Sequence, residues 1–277
     1  KFQFKQWDGK VIREVELLKI RDNIDLEELI FPIGYSEHAI ESFKNFEKLQ
    51  SNGKIPLDVK FQVSLPTPFA TGYNYISPHG RKEFLKVYEK SFALDIKKII
   101  DSIPNDKLAI QWDVCQEILI FNNYFPNRSA NYKDEIFSQL ARIGNIIPIE
   151  VELGYHMCYG SPGDDHIIKP KNFAMSVEFA NGIFNYIDRS VEFIHLPGTY
   201  GQPDNEFYEP LKDLKIPETC EIYLGLLFFD DLEGDDKRIA AARKILPKFG
   251  ISTVCGWGRG NPERVSSLLN SHKVNFE

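Results

Sequence analysis

One spacing in this sequence carries clear coordination chemistry: His156-Met157-Cys158. In extended backbone, residues i and i+2 project to the same side, so an imidazole and a thiol placed this way reach one ion. Zn2+ accepts such an N/S mixture, and a catalytic zinc site needs a third protein ligand and an open fourth position. Cys255, followed by Gly256, is the natural third ligand. The expected metal set is therefore His156, Cys158 and Cys255, with Zn2+ as cofactor. The competing reading is a pair of buried cysteines and a hydrogen-bonded core histidine. His195 is a further candidate, as a ligand, as a hydrogen-bond partner behind the ligands, or as a substrate contact.

Other polar residues sit where apolar ones would be expected. Asp113 falls in an apolar run, where an unpaired carboxylate is costly to bury, so it should face a polar site. Glu117 lies four residues on and serves either the same site or the cap of the next helix. Trp257 and Arg259 follow Cys255 in a glycine-rich loop, as an aromatic wall and an anion contact or as ordinary loop residues. Gly160 to His166 reads as a turn or as a substrate loop bringing His166 near the metal. The acidic stretch from Asp230 to Asp236 reads as a solvated loop and helix N-terminus. Cys115 and Cys220 read as core thiols.

These residues need elements to hold them. Six short apolar runs read as strands: 59–65, 108–114, 151–156, 191–196, 221–227 and 251–255. Helical periodicity covers Arg81 to Ile103, with Pro104 as the stop, then Lys133 to Ile143 and Asn172 to Ile187. A last helix is expected from Asp235 to Phe249, with Gly250 as its C-cap. Alternating strands and helices imply a parallel sheet wrapped by helices. Gln111, Asp113, His156, His195 and Cys255 fall at the ends of different strands, which favours a TIM (β/α)8 barrel over an open sheet. Six strands are two short of eight, and the chain begins at Lys1. The expectation is one barrel domain over 1–277, with the first one or two strands upstream of residue 1.

Composition narrows the function classes. The 277 residues are 43% hydrophobic and 26% charged, with a formal net charge of −7. No run of basic residues gives a footprint for nucleic acid or an anionic membrane. No stretch of 18 apolar residues appears, and the N-terminus does not read as a secretory signal. Four cysteines without a CxxC suggest reduced thiols and a cytoplasmic setting. The expected partner is a small molecule, with no nucleic acid and no membrane; the oligomeric state is left open.

The segment Gly154-Tyr155-His156-Met157-Cys158-Tyr159, taken with Cys255-Gly256, resembles the zinc motif of cobalamin-independent methionine synthases and related methyltransferases. In that family His-x-Cys closes the fifth barrel strand, Cys-Gly closes the eighth, and a Glu ends the sixth. His195, 60 residues before Cys255, stands where that Glu is expected. Ile110-Gln111-Trp112-Asp113-Val114 is similar to the fourth-strand motif, which implies that Asp113 holds a substrate amino group. Leu65-Pro66-Thr67-Pro68 resembles the loop after the third strand. The likeness runs over roughly 58–270. It implies a zinc-dependent methyl or alkyl transferase, in which a substrate thiol becomes a zinc-bound thiolate and attacks an electrophilic carbon. Asp113 and His195 are then the catalytic candidates. Gln111, Thr67, Glu117, Tyr155, Trp257 and Arg259 are the substrate-binding ones, and the partners are a thiol and an alkyl donor. An imidazole in place of a carboxylate makes the centre less negative by one charge and a bound thiolate less electron-rich. Two other readings therefore stay open: a zinc-dependent lyase or hydrolase of a small metabolite, and a non-enzymatic metabolite- or metal-binding barrel.

Overall fold

The computed structural model describes residues 1–161, 165–201, 204–258 and 260–276. A hairpin of β1 (Phe2–Lys5) and β2 (Val11–Val15) comes first, then α1 (Tyr35–Ser51), β3 (Phe61–Pro66), α2 (Pro68–Tyr75) and α3 (Arg81–Ser102). Next come β4 (Leu108–Val114), α4 (Gln116–Phe121), α5 (Tyr132–Asn145), β5 (Glu152–Met157), α6 (Ala174–Phe184) and β6 (Phe193–Pro197). The chain finishes with α7 (Asn205–Tyr208), β7 (Glu221–Leu227), α8 (Leu232–Arg243), β8 (Gly250–Thr253) and α9 (Val265–Phe276). All six strands expected from the sequence are present.

Those six form one sheet in the order β3-β4-β5-β6-β7-β8. Parallel ladders join β3 to β4, β6 to β7 and β7 to β8. This is an α/β fold with a six-stranded parallel sheet, and among the described residues the sheet ends on β3 and β8. No helix among the described residues is long and apolar enough to cross a membrane.

By contacts the chain divides into two compact units. The first comprises Lys1–Phe2, Val15–Gly154 and Ile187–Ser190. Its core is a run of rings from Phe31 through Phe84, Tyr88 and Phe92 to Trp112, each pair with centroids within 6 Å, as 5.4, 5.1, 5.8 and 5.7 Å show. The start of α1 is tied to α3 because buried Asp95 accepts from both the N–H and the hydroxyl of Ser36. α3 ends at Ser102, and Ile103 is already extended before Pro104, which disfavours helical backbone in the residue ahead of it. Arg189 binds 187–190 to this unit by donating to the carbonyls of Ile147, Pro148 and Val151.

The second unit comprises Gln3–Glu14, Tyr155–Tyr186 and Val191–Glu277. Trp7, in the turn of the hairpin, donates its indole N–H to Asp165 at 2.8 Å, and the Lys169 ammonium sits 3.4 Å above the same ring. The last predicted helix ends at Arg243 instead of Phe249, and Gly250 opens β8 instead of capping a helix. A Cβ at 250 would lie 2.5 Å from the Tyr223 ring of the neighbouring strand, so that ring would have to shift. The acidic stretch is not wholly solvated, because Asp235 is fully buried, accepting from Arg238 and from the Phe228 N–H. In the first unit, Cys115 is only half-buried, at the residue preceding α4, so it is not a core thiol.

Candidate metal centre

The site starts from strand β5 (Glu152–Met157). It is buried along almost its whole length, and the period of two turns His156 and Cys158 to one side and Tyr155 and Met157 to the other. Tyr155, a substrate-binding candidate, is therefore a fully buried ring on the face opposite His156. Cys158 lies one residue past the strand, where the chain is still extended enough to keep its sulfur beside the imidazole.

Cys255 arrives from β8, two residues past its end. The β7–β8 register shifts between Gly225 and Leu227, so one extra residue on β7 bends the pair where β8 ends. Such bulges re-aim side chains next to functional sites. The turn that follows is pinned by a relay. The Thr253 hydroxyl donates to the Cys255 carbonyl at 2.8 Å and accepts from the Trp257 indole N–H at 2.8 Å. Trp257 is thus half-buried and anchored, with its ring edge-on to His272 at 5.6 Å. Arg259 lies outside the described residues, as do 162–164 of the loop following Cys158.

The outcome is a compact donor set. One ring nitrogen of His156 and the sulfurs of Cys158 and Cys255 all lie within 4.8 Å of one another. The Cys255 thiol is pushed up to about 12, first by its hydrogen bond with Cys158 and then by burial, with His156 pulling in the opposite direction. Two sulfurs sharing a proton in a buried site cannot both ionise unless a cation joins them. A dication between them removes that penalty, and one imidazole with two thiolates matches zinc and leaves one position open. The residues fit the metal expected for them.

His195 is centred in β6, not at its end, and its ring stacks on His156 with centroids 4.4 Å apart and planes at 20°. It stands outside the set of three mutually close donors. Burial, then the charge of His156, holds its pKa well below the usual imidazole range, against a backbone hydrogen bond at Thr253. It is therefore neutral, and no hydrogen-bond partner for its Nε2 occurs among the described residues. His166 is buried too, with Nε2 3.1 Å from the Gly198 carbonyl, and burial lowers its pKa.

Gly225 completes this arrangement. A Cβ there would lie 2.8 Å from Val254 Cα, 2.9 Å from the Thr253 carbonyl and 3.1 Å from His195 Nε2. Only a residue without a side chain lets β8 and His195 approach β7 this closely. This glycine and the Thr253–Trp257 relay were missed by sequence reasoning. A glycine inside an apolar strand was the available signal for the first; the relay left none.

The remaining candidates belong to the first unit. Gln111 donates to Asp113 at 2.8 Å and to Ser64 at 3.3 Å. Thr67 and Glu117 are both fully buried, and the Thr67 hydroxyl donates to Glu117 Oε1 in a short bond. Burial pushes the Glu117 carboxyl up to about 7, against the Thr67 hydrogen bond. Glu117 Oε2 is buried without a hydrogen-bond partner among the described residues. Glu117 sits in the first turn of α4, but its side chain is spent on Thr67.

No family model matches this chain, and no curated protein does. Among solved structures it is similar to the crystal structure of a candidate vitamin-B12-independent methionine synthase from Listeria monocytogenes, with a TM-score of 0.55 and 17% identity. The match covers 93% of this chain and 71% of the other. At that identity the likeness shows a related fold.

Proposed function

We propose that the chain is a zinc-dependent methyl or alkyl transferase acting on a small-molecule thiol, built on a (β/α)8-type barrel of the methionine synthase kind. The carrying observation is the convergence of His156, Cys158 and Cys255 donor atoms within 4.8 Å, from two separate strand ends. The fold shared with a candidate methionine synthase supports the same reading. Zn2+ bound there would supply a Lewis acid that holds a substrate thiol ionised at neutral pH. His156 offers a neutral nitrogen, and Cys158 and Cys255 give up their protons to receive the ion. Neutral His195, packed flat on His156, fixes that ring and keeps positive charge away from the nucleophile. The wrap of buried side chains on β5 and β6 excludes water from the sulfur.

The test is metal content, followed by sulfur coordination. Chain purified from zinc-replete cells is expected to hold about one zinc, and His156→Ala and Cys158→Ser should each lower its affinity by at least about 100-fold. X-ray absorption should then gain one Zn–S contact on adding a thiol. A folded wild-type chain that binds no zinc sinks the proposal. Zinc binding without a new sulfur under any thiol favours the lyase or hydrolase reading.

A further inference from the structure

A cavity of about 50 Å3 lies beside Cys255 within the second unit. Cys255 forms part of its wall, and much of the rest comes from Tyr200, Phe228, Phe229, Trp257 and Leu268. Phe228 and Leu268 are buried and make its floor, whereas Phe229 and Tyr200 are exposed and stand at its rim. The Tyr200 and Phe228 rings meet at 4.2 Å. These walls are stiff. The Trp257 indole is bonded to Thr253, and Phe228 is held under the Arg238 guanidinium at 4.5 Å while its N–H donates to Asp235. Arg264 also lines the cavity, its guanidinium 4.9 Å from the Phe229 ring, as do Asn261 and Thr253.

On the same measure of volume one water needs about 10–15 Å3, so the space takes a file of about three or four atoms. We propose that this cleft is the subsite for the carbon chain of the thiol, and that it selects short, unbranched chains of about three or four carbons. Phe228, Phe229 and Trp257 set the limit. The inference rests on the thiol reading above and adds the size of the substrate. A longer or branched chain would have to move Phe228, and overfilling a packed site is costly.

The experiment uses the full chain loaded with Co2+, titrated with straight-chain thiols from ethanethiol to octanethiol. The sulfur-to-cobalt charge-transfer absorption reports binding directly, with no turnover required. Affinity is expected to rise about fourfold per methylene up to about three or four carbons. Beyond that it should fall by about tenfold or more. Phe228→Ala should move the limit to longer chains. Phe229→Ala, at the exposed rim, should do the same and covers the case in which the buried substitution fails to fold. Binding of every thiol with no length limit overturns the inference, as does a limit that neither substitution moves. Absence of a spectral change with any thiol overturns it together with the thiol reading on which it rests. The two failures are therefore distinct.

Discussion

Thr67 and Glu117 are fifty positions apart, yet the hydroxyl of one donates to the carboxyl of the other in a site closed to solvent. The usual value for this side chain is 4.5, and in the fold it rises to about 7 because burial disfavours the anion. Between those two values the native state keeps a proton that the unfolded chain has lost. The contribution to stability is thus complete below about 4.5, declines as pH rises, and levels off above about 7. The full span is worth about 3 kcal/mol. Glu117→Gln keeps an acceptor for Thr67 and removes the charge, so at pH 8 it should be more stable than the wild type by up to that amount. At pH 4 the two should be nearly equal. Urea unfolding at a series of pH values checks this, and a difference that does not change with pH refutes it. At this scale the pairing of His156 with Cys158 was legible, because an i, i+2 spacing in extended chain fixes a shared side whatever the rest of the fold does. The Thr67 bond was not, since no local pattern encodes a contact across fifty residues. Asp235 was misread for the same reason: its partner Arg238 is near in sequence, but its burial is a tertiary fact.

Strands were easier to read than the places where they deviate. Short apolar, β-branched or aromatic runs gave all six, but the bulge on β7 is a mismatch between partners and has no signature in either strand alone. That bulge, with Gly225, delivers Cys255 to the centre. Gly225→Ala puts a methyl against the backbone of Thr253 and Val254 and against His195, so β8 must withdraw. The expected loss is about 1–3 kcal/mol of stability, together with a clear fall in zinc affinity because the third ligand moves with β8. Gly256→Ala is the matched control, since nothing lies within 4 Å of a Cβ there. Chelator competition and thermal unfolding on both variants decide the point. Equal zinc affinity in the two would remove Gly225 from any positioning role. The error over α8 has a similar origin. The apolar pattern continues to Phe249, but Pro247 cannot supply an N–H to the helical ladder and the segment leaves the helix at Arg243.

Alternation of strands and helices made the α/β class and the parallel sheet legible from residue 59 onward, because crossover connections between buried strands impose both. The strand-end positions favoured a closed barrel, but alternation does not encode the tilt and stagger that closure requires, and among the described residues the sheet ends on β3 and β8. The division into two compact units was equally hidden, for their boundary falls within β5, at Gly154 and Tyr155, in an unbroken apolar strand. That boundary places all three metal-set residues, and His195 with them, in the second unit. An ion that binds only the folded site stabilises what surrounds it by mass action, by about 2.7 kcal/mol at one hundred times its dissociation constant. Hydrogen exchange on the full chain with and without Zn2+ should therefore show slowed exchange in the closing residues of β5, in β6 and β7, and in β8 with the Thr253–Trp257 turn. In Cys255→Ser the effect should largely vanish. Protection appearing first around Gln111, Asp113 and Glu117 would place the ion among the carboxylates of the first unit and overturn the His–Cys–Cys assignment.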